Sequence, residues 1–485
     1  RVILSDPVAL QHVLSSNDLN YPKPKDAARI LEGMMGPGLL SAEGEVHRRQ
    51  KRALQPAFST NCVKNHSAVF QSHGCHLRDK MLGWIDRMSE AGQARIEVDL
   101  LRPVSRATLD VIGEAGFGVH IGSLEEEREE GNIVSADRLE MEPSSHPLSR
   151  AFDKVVNLMT RRCTNSSSFI LDVLTFYFPS LACFPFGQNS PAFKSARRVL
   201  DGVAQGIVHQ ARIDLMKIDP EGVCEGDSRR GQRTDLLAGL MRANQNLTER
   251  QMRDSRRGVS TTLNKATLTD NEVTAQVSTM LFAGHETTSV QLTWILWILS
   301  KDQESQTRLR DAIRKKQDRE LSTEELDSIP YLDWCIQEGL RMFSPIHTTS
   351  RTALAPDRIP CSTQHSAVSH VDVTGGTIIV IPIACLNRDK KVWGDDAHIF
   401  RPERWGPRAD AKGEQRLKRN QAAFLFGPRG CTYATEWGKK TKMRGADSPD
   451  QPSREGQFHS LSFSCSLFLL PFLLILSSHR PLYTS

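Results

Sequence analysis

The longest hydrophobic pattern in the chain is NEVTAQVSTMLFAGHETTSVQLTWILWILS. From Val277 to Leu299 apolar residues fall on nearly every face of a 3.6-residue period, which predicts a helix through the protein's centre rather than along its surface. Thr269, with Glu272 three positions on, marks its start, because hydroxyl and carboxylate can each satisfy a backbone N–H that a helix leaves unbonded. A second helical pattern, IPYLDWCIQEGLRMF, stops at Ser344–Pro345, since the residue before proline disfavours helix. The opening RVILSDPVALQHVLSS reads as a strand end running into an amphipathic helix, so the start is expected to be truncated. Alternation returns in VDVTGGTIIVIPIA, whose central Gly-Gly predicts a hairpin.

Helical patterns dominate, and polar breaks separate them. EEEREEGNIVSADRLEMEPSSHP and DSRRGQRTD carry mixed charge without a period and are expected to be surface loops. LSFSCSLFLLPFLLIL, Leu461 to Leu476, falls short of the roughly 20 residues of a spanning helix, and Pro471 interrupts it. Across the 485 residues, 39% hydrophobic and 25% charged content excludes a disordered chain, and a net charge of +5 is too small to indicate a nucleic-acid partner. Ten cysteines without a CxxC pair, in a chain this long, indicate a reducing compartment in which most thiols act as small buried hydrophobes.

Three constellations carry candidate chemistry. Cys431 closes FLFGPRGC; a lone cysteine is ordinarily a buried thiol, but its neighbours change that reading. Gly427 and Gly430 permit a tight turn with positive φ, Pro428 stiffens it, and the amides so exposed can hydrogen-bond a thiolate. Arg429 offers a forked cation suited to a carboxylate, and Phe424 can cover the sulfur. In AGHETTS, Ala283 and Gly284 leave room for a ligand, Thr287 can bond back to the carbonyl four residues earlier and bend the helix, and Glu286 beside Thr287 can pass protons. The blander reading has Thr287 and Thr288 merely capping a kink. In EGLR, Glu338 and Arg341 share a helix face, and the later FRPERW supplies Arg404 as a third member; an acid shared by two arginines would fix the loop leading to Cys431. Cys62, His66, His73, Cys75 and His76 fit no zinc spacing and read as an ordinary helix, and Trp294 and Trp297 read as core packing.

In this order the three constellations resemble the cytochrome P450 family of haem-thiolate monooxygenases, its membrane-bound fungal members above all, from about Arg1 to Cys431. GPGLLSAEGEVHRRQKRALQPAF is similar to the family's helix across a haem edge, TLDVIGEAGFG to a following core helix, and LNRDKKVWGDDAHIFRPERW to the meander before the cysteine loop. The resemblance implies a mainly α fold with small β-sheets, residues 1–432 forming one domain and haem b lying between the long central helix and the cysteine loop. It implies Cys431 as axial thiolate on iron, with Phe424 and Gly427 in its loop; Glu286 and Thr287 as the acid–alcohol pair of oxygen activation, beside Ala283 and Gly284; and Glu338, Arg341 and Arg404 as a structural triad. Arg429 and Arg351 match propionate-binding positions. His47 and Lys51 stand where the family commonly has Trp and Arg four apart; both can donate to a carboxylate, though Lys51 lacks the bidentate fork. The implied activity inserts one oxygen atom of O2 into a lipophilic small molecule, with electrons from NADPH through NADPH-cytochrome P450 reductase. The implied location is the cytoplasmic face of the endoplasmic reticulum membrane, through an anchor that this chain does not include.

The chain departs from the family after the cysteine. A glycine is usual two residues on; Tyr433 stands there, and ATEWGKKTKMRGADSPDQPSREGQ lacks the apolar stripe of a helix backing the haem. Residues 433–485 are therefore expected to lie outside the fold, as translated non-coding sequence whose Ser/Phe/Leu/Pro-rich run reads as the end of an intron, with a tail anchor as the alternative. Two other readings of the whole chain follow: a catalytically inactive, truncated relative, and a small-molecule binding protein without redox chemistry.

Overall fold

The computed structural model describes residues 1–58, 65–90, 97–125, 138–139, 147–164, 191–217, 236–242, 244, 267–315, 325, 328–362, 368–406 and 422–431. Tyr433, the tail with its apolar run, the loop DSRRGQRTD and Cys62 lie outside the described residues. The elements used below are, in chain order, β1 (Val2–Ile3), α1 (Pro7–Gln11), α2 (Lys25–Met35), α3 (Gly44–Leu54), α4 (Ser67–Glu90), β2 (Glu97–Val98), α5 (Leu101–Val111), β3 (Arg138–Leu139), α6 (Pro147–Thr164), α7 (Pro191–Lys217), α8 (Asp270–Lys301), α9 (Gln303–Arg314), α10 (Pro330–Met342), β4 (Thr349–Thr352), β5 (Asp357–Pro360), β6 (His370–Val373), β7 (Ile378–Ile381), α11 (Ile383–Leu386) and α12 (Lys390–Trp393). Among the described residues, the predominance of helix with three small sheets agrees with the expected class.

Contacts divide the chain into two compact units, the first made of Arg1–Pro24, Glu43–Ala94 and Glu286–Ser485, the second of Lys25–Ala42 and Arg95–His285. In the first, the central strand β7 pairs in parallel with β1, Val2 opposite Ile379, and antiparallel with β4, Arg351 opposite Ile379. Leu4, Val13, Leu14, Ile379, Ile381 and Ala422 form one buried cluster, against which Leu425 and Phe426 of the cysteine loop pack, so the start of the chain and that loop share a core. A polar node fastens the same region: Asp357 accepts from Tyr21 Oη at 2.7 Å, His12 Nε2 at 2.8 Å and Asn17 Nδ2 at 2.9 Å. Burial alone would raise that carboxyl, but these donors outweigh it and hold the acid down to about 2.

In the second unit α6 packs on α7, and β2 pairs in parallel with β3, so the polar stretch expected to be a loop contains the short strand Arg138–Leu139. Thr108 of α5 donates to the His285 carbonyl at 3.2 Å. Ahead of the long helix, the Leu39 N–H donates to the buried Gln276 Oε1 at 3.1 Å, and Ser41 Oγ donates to the Gly36 carbonyl at 2.9 Å.

Helix α8 begins as its capping residues predict. The Thr269 N–H donates to Glu272 Oε2 at 2.9 Å and the Glu272 N–H to Thr269 Oγ1 at 3.3 Å. The hairpin around Gly375–Gly376 does not form: β6 pairs with β5, while β7 joins β4 and β1. The turn itself closes, with Thr377 N–H on the Thr374 carbonyl, but Gly376 N–H donates to the Ala353 carbonyl and Ala353 N–H to the Thr377 carbonyl, tying the turn to the end of β4. The chain is thereby handed from one sheet to another. Among the described residues no helix is long and apolar enough to cross a membrane.

Candidate functional site

Cys431 is exposed at the end of a turn cross-braced by its own backbone. The Gly430 N–H donates to the Gly427 carbonyl, and the Cys431 N–H to the Phe424 carbonyl, both at 3.0 Å. Gly427 has φ of 78°, and a Cβ there would stand 2.1 Å from the Leu14 carbonyl oxygen, so conformation and space both demand glycine. Gly430, expected to share that conformation, does not have positive φ; Leu425 does, at 53°. Phe424 is half-buried and reaches the cysteine through its carbonyl.

Around this turn the first unit gathers five basic side chains: Lys23, His47 and Lys51 of α3, Arg351 of β4, and Arg429. His47, Arg351 and the Arg429 side chain are buried. Their burial, and for Lys23 and His47 the repulsion of neighbouring cations, shows in their protonation. Burial, Arg429 and Arg351 push Lys23 down to about 7, outweighing Glu43, to which its Nζ donates at 3.2 Å. Burial, with Lys23, Lys51, Arg351 and Arg48, pushes His47 down to about 4; burial alone brings Arg351 to about 10. Glu43, immediately before α3, is the carboxylate set among them, accepting from Lys23 and paired with Arg429. Arg429 Nε is nonetheless buried without a hydrogen-bond partner. Such a cluster is shaped to receive additional negative charge.

Glu338, Arg341 and Arg404 come together as a fully buried group. Arg341 grips Glu338 with both arms of its fork, Nε to Oε2 at 2.9 Å and Nη2 to Oε1 at 2.7 Å, while Arg404 Nε donates to Oε1 at 3.3 Å. Trp405 Nε1 and the Arg401 N–H complete the carboxylate's partners, at 2.9 and 3.0 Å. Arg341 Nη1 donates to the carbonyls of Asn387 and Ala397 at 2.8 and 2.6 Å, and Asn387 Oδ1 accepts the Ala422 N–H at 2.8 Å, where the described part of the cysteine loop begins. The group thus holds the loop through one intermediate residue. Gly339 within EGLR lets α10 approach α8: a Cβ there would meet Ile295 Cγ1 at 2.5 Å.

On α8, Ala283, Gly284, Glu286 and Thr287 are half-buried, and the helix stays continuous through them. The space beside Gly284 is taken by Ile112, whose Cδ1 would lie 3.0 Å from an added Cβ, so part of the room expected for a ligand is occupied by helix packing. His285 is buried, its Nδ1 2.6 Å from the Leu281 carbonyl, and burial pushes it down to about 4. Between Val273 and Leu299 the exposed positions of the helix are Trp294 and Trp297, while half-buried positions such as Phe282, Gly284, Thr287, Thr288 and Val290 fall on several faces. Trp294 and Trp297 therefore do not pack in the core; they are 38% and 44% exposed, with Trp294 stacked on Phe343 at 4.9 Å.

Lys23, Glu43, Asn387 and Trp405 were not legible as site residues, because each acts through a partner far away in sequence. Among the described residues no group of three or more His, Cys, Asp or Glu is placed to hold a metal ion.

A sequence model of the cytochrome P450 family matches residues 1–432. Cytochrome P450 monooxygenase 205 of Postia placenta is 32% identical over 437 residues, covering 89% of this chain and 73% of that protein. Cytochrome P450 monooxygenase claP of Ampulloclitocybe clavipes is 29% identical over 439 residues, covering 89% of this chain and 72% of that protein.

Proposed function

The chain belongs to the cytochrome P450 family and is a cytochrome P450 monooxygenase, and from that premise we propose that Cys431 and the cluster of five basic side chains hold a haem. The observation that carries the reading is the excess positive charge beside the cysteine turn: a lysine pushed down to about 7 and a buried guanidinium nitrogen without a partner are what two propionates would relieve. The residues present fit the group. Haem with a cysteine thiolate on its iron supplies O2 activation, the sulfur's electron donation favouring O–O cleavage.

The chain's own residues do the rest. Arg351 and Arg429 hold carboxylates, with neutral His47 as an N–H donor. Cys431, at the end of a turn fixed by Gly427 and by the Phe424 carbonyl, presents its sulfur. The Glu338–Arg341–Arg404 group keeps that turn in place. Glu286 and Thr287 are half-buried on one helix; in this reading the acid exchanges protons with solvent and the alcohol hands them on. The substrate is a lipophilic small molecule that takes one oxygen atom of O2. The electrons come from NADPH through NADPH-cytochrome P450 reductase at the cytoplasmic face of the endoplasmic reticulum membrane, as the resemblance to membrane-bound fungal members implies.

Reconstitution with that reductase, NADPH and isotopically labelled dioxygen tests the reading. One labelled oxygen per product molecule is expected across a panel of lipophilic substrates, and none from Cys431→Ala. Product formation that survives Cys431→Ala would contradict it.

A further inference from the structure

Lys51 occupies a position at which the family resemblance implies a carboxylate donor, yet its ammonium is committed elsewhere. Its Nζ donates to the Pro428 carbonyl at 2.7 Å and to the Gly430 carbonyl at 2.9 Å, the two carbonyls that flank Arg429 in the cysteine turn. Two of its three N–H donors are thus directed at loop backbone. We propose that Lys51 is a latch that holds the Cys431 turn against α3, and that Lys23 takes the carboxylate-binding role beside Arg429. This rests on the haem reading of the same site.

The residue types agree with this division. A lysine ammonium is a compact charge that suits two converging carbonyls, whereas a carboxylate is matched better by a planar fork. Lys23 and Arg429 already show that together they grip a carboxylate, since both hold the side chain of Glu43: Lys23 through its N–H and its Nζ, each at 3.2 Å, and Arg429 through its guanidinium. The bonds from the Gly430 N–H to the Gly427 carbonyl and from the Cys431 N–H to the Phe424 carbonyl are internal to the turn. Lys51 adds a tie from another element, and that element also carries His47 one helical turn earlier. Helix α3 therefore joins the carboxylate cluster to the loop that presents the sulfur. Lys51 is a positioning residue; it holds backbone near Cys431.

The two lysines are separated by comparing Lys51→Met and Lys23→Met in the full chain, by amide hydrogen exchange over 424–431, by the rate of haem transfer to an excess of a haem-scavenging protein, and by the carbon monoxide band of the reduced protein. Loss of a charged hydrogen bond corresponds to about tenfold or more in each equilibrium. Lys51→Met is expected to speed exchange across the loop by about that factor and to convert part of the band from thiolate-type to thiol-type, with haem transfer little changed. Lys23→Met is expected to speed haem transfer by about that factor, with loop exchange and band type unchanged. Haem transfer as fast in Lys51→Met as in Lys23→Met, with loop exchange unaltered, overturns the proposal. If Lys51→Met does not accumulate folded, Lys51→Arg decides. A latch predicts faster loop exchange with haem retained, and a carboxylate donor predicts unaltered exchange with haem retained. A wild-type chain without a thiolate-type band would defeat the haem reading, whereas the exchange comparison, made on the cofactor-free chain, still reads the latch by itself.

Discussion

At the scale of single residues, the site depends on positions where backbone geometry and space admit one residue type. Gly427 is the clearest case. Any other residue there meets both a left-handed φ and the Leu14 carbonyl, so Gly427→Ala is expected to cost about 2–4 kcal/mol of stability, which thermal or denaturant unfolding would measure. Equal stability of the variant would mean that the turn is not built as described. Glu338→Ala is expected to cost about 3–5 kcal/mol, because Arg341 and Arg404 are left buried without their shared carboxylate. Glu338→Gln keeps the volume and one acceptor and should cost less. The sequence shows all three members of this group, since Glu338 and Arg341 share a helix face. It does not show Asn387, because a backbone carbonyl and a single amide bond connect the triad to the cysteine loop, and neither leaves a trace in residue type.

At the scale of elements, α8 and α10 are set by close approach at Gly339, where a Cβ would overlap Ile295. Gly339→Val should lower stability by about 1–3 kcal/mol through overpacking, without altering the Glu338–Arg341 pairing. Both helices are legible in the sequence: the first from its capping pair and long apolar run, the second from the proline that follows it. The alternation in VDVTGGTIIVIPIA tells which residues form strands and not which strands pair. Bonds between Gly376, Thr377 and Ala353 outcompete the local hairpin and send β6 and β7 to different sheets. The two tryptophans differ from the expected core packing for a related reason. An all-apolar helix looks buried throughout, while the structure leaves Trp294 and Trp297 exposed near its end.

At the scale of the whole molecule, the role proposed for the basic cluster would link stability to cofactor binding. Lys23 is pushed down to about 7 in the folded chain and returns to the ordinary lysine range on unfolding. Between those values the unfolded chain binds more protons, so the stability of the cofactor-free chain should rise as pH increases from about 7 to about 9. Lys23→Met should flatten that rise, and a melting temperature in the variant that follows the wild-type pH profile would show that Lys23 is not its source. Carboxylates bound as proposed would restore the lysine's proton, so the loaded protein should show less of the rise. Membership of the P450 family spans residues 1–432, and the chemistry proposed for it converges on one sulfur within that span.

The most direct measurement is the absorption spectrum of the full chain, haem-loaded, reduced and exposed to carbon monoxide. A thiolate-type Soret band, absent from Cys431→Ala, is the predicted result. A protein that binds haem but shows only the thiol-type band, or one whose spectrum is unchanged by Cys431→Ala, would contradict the assignment of Cys431 to iron.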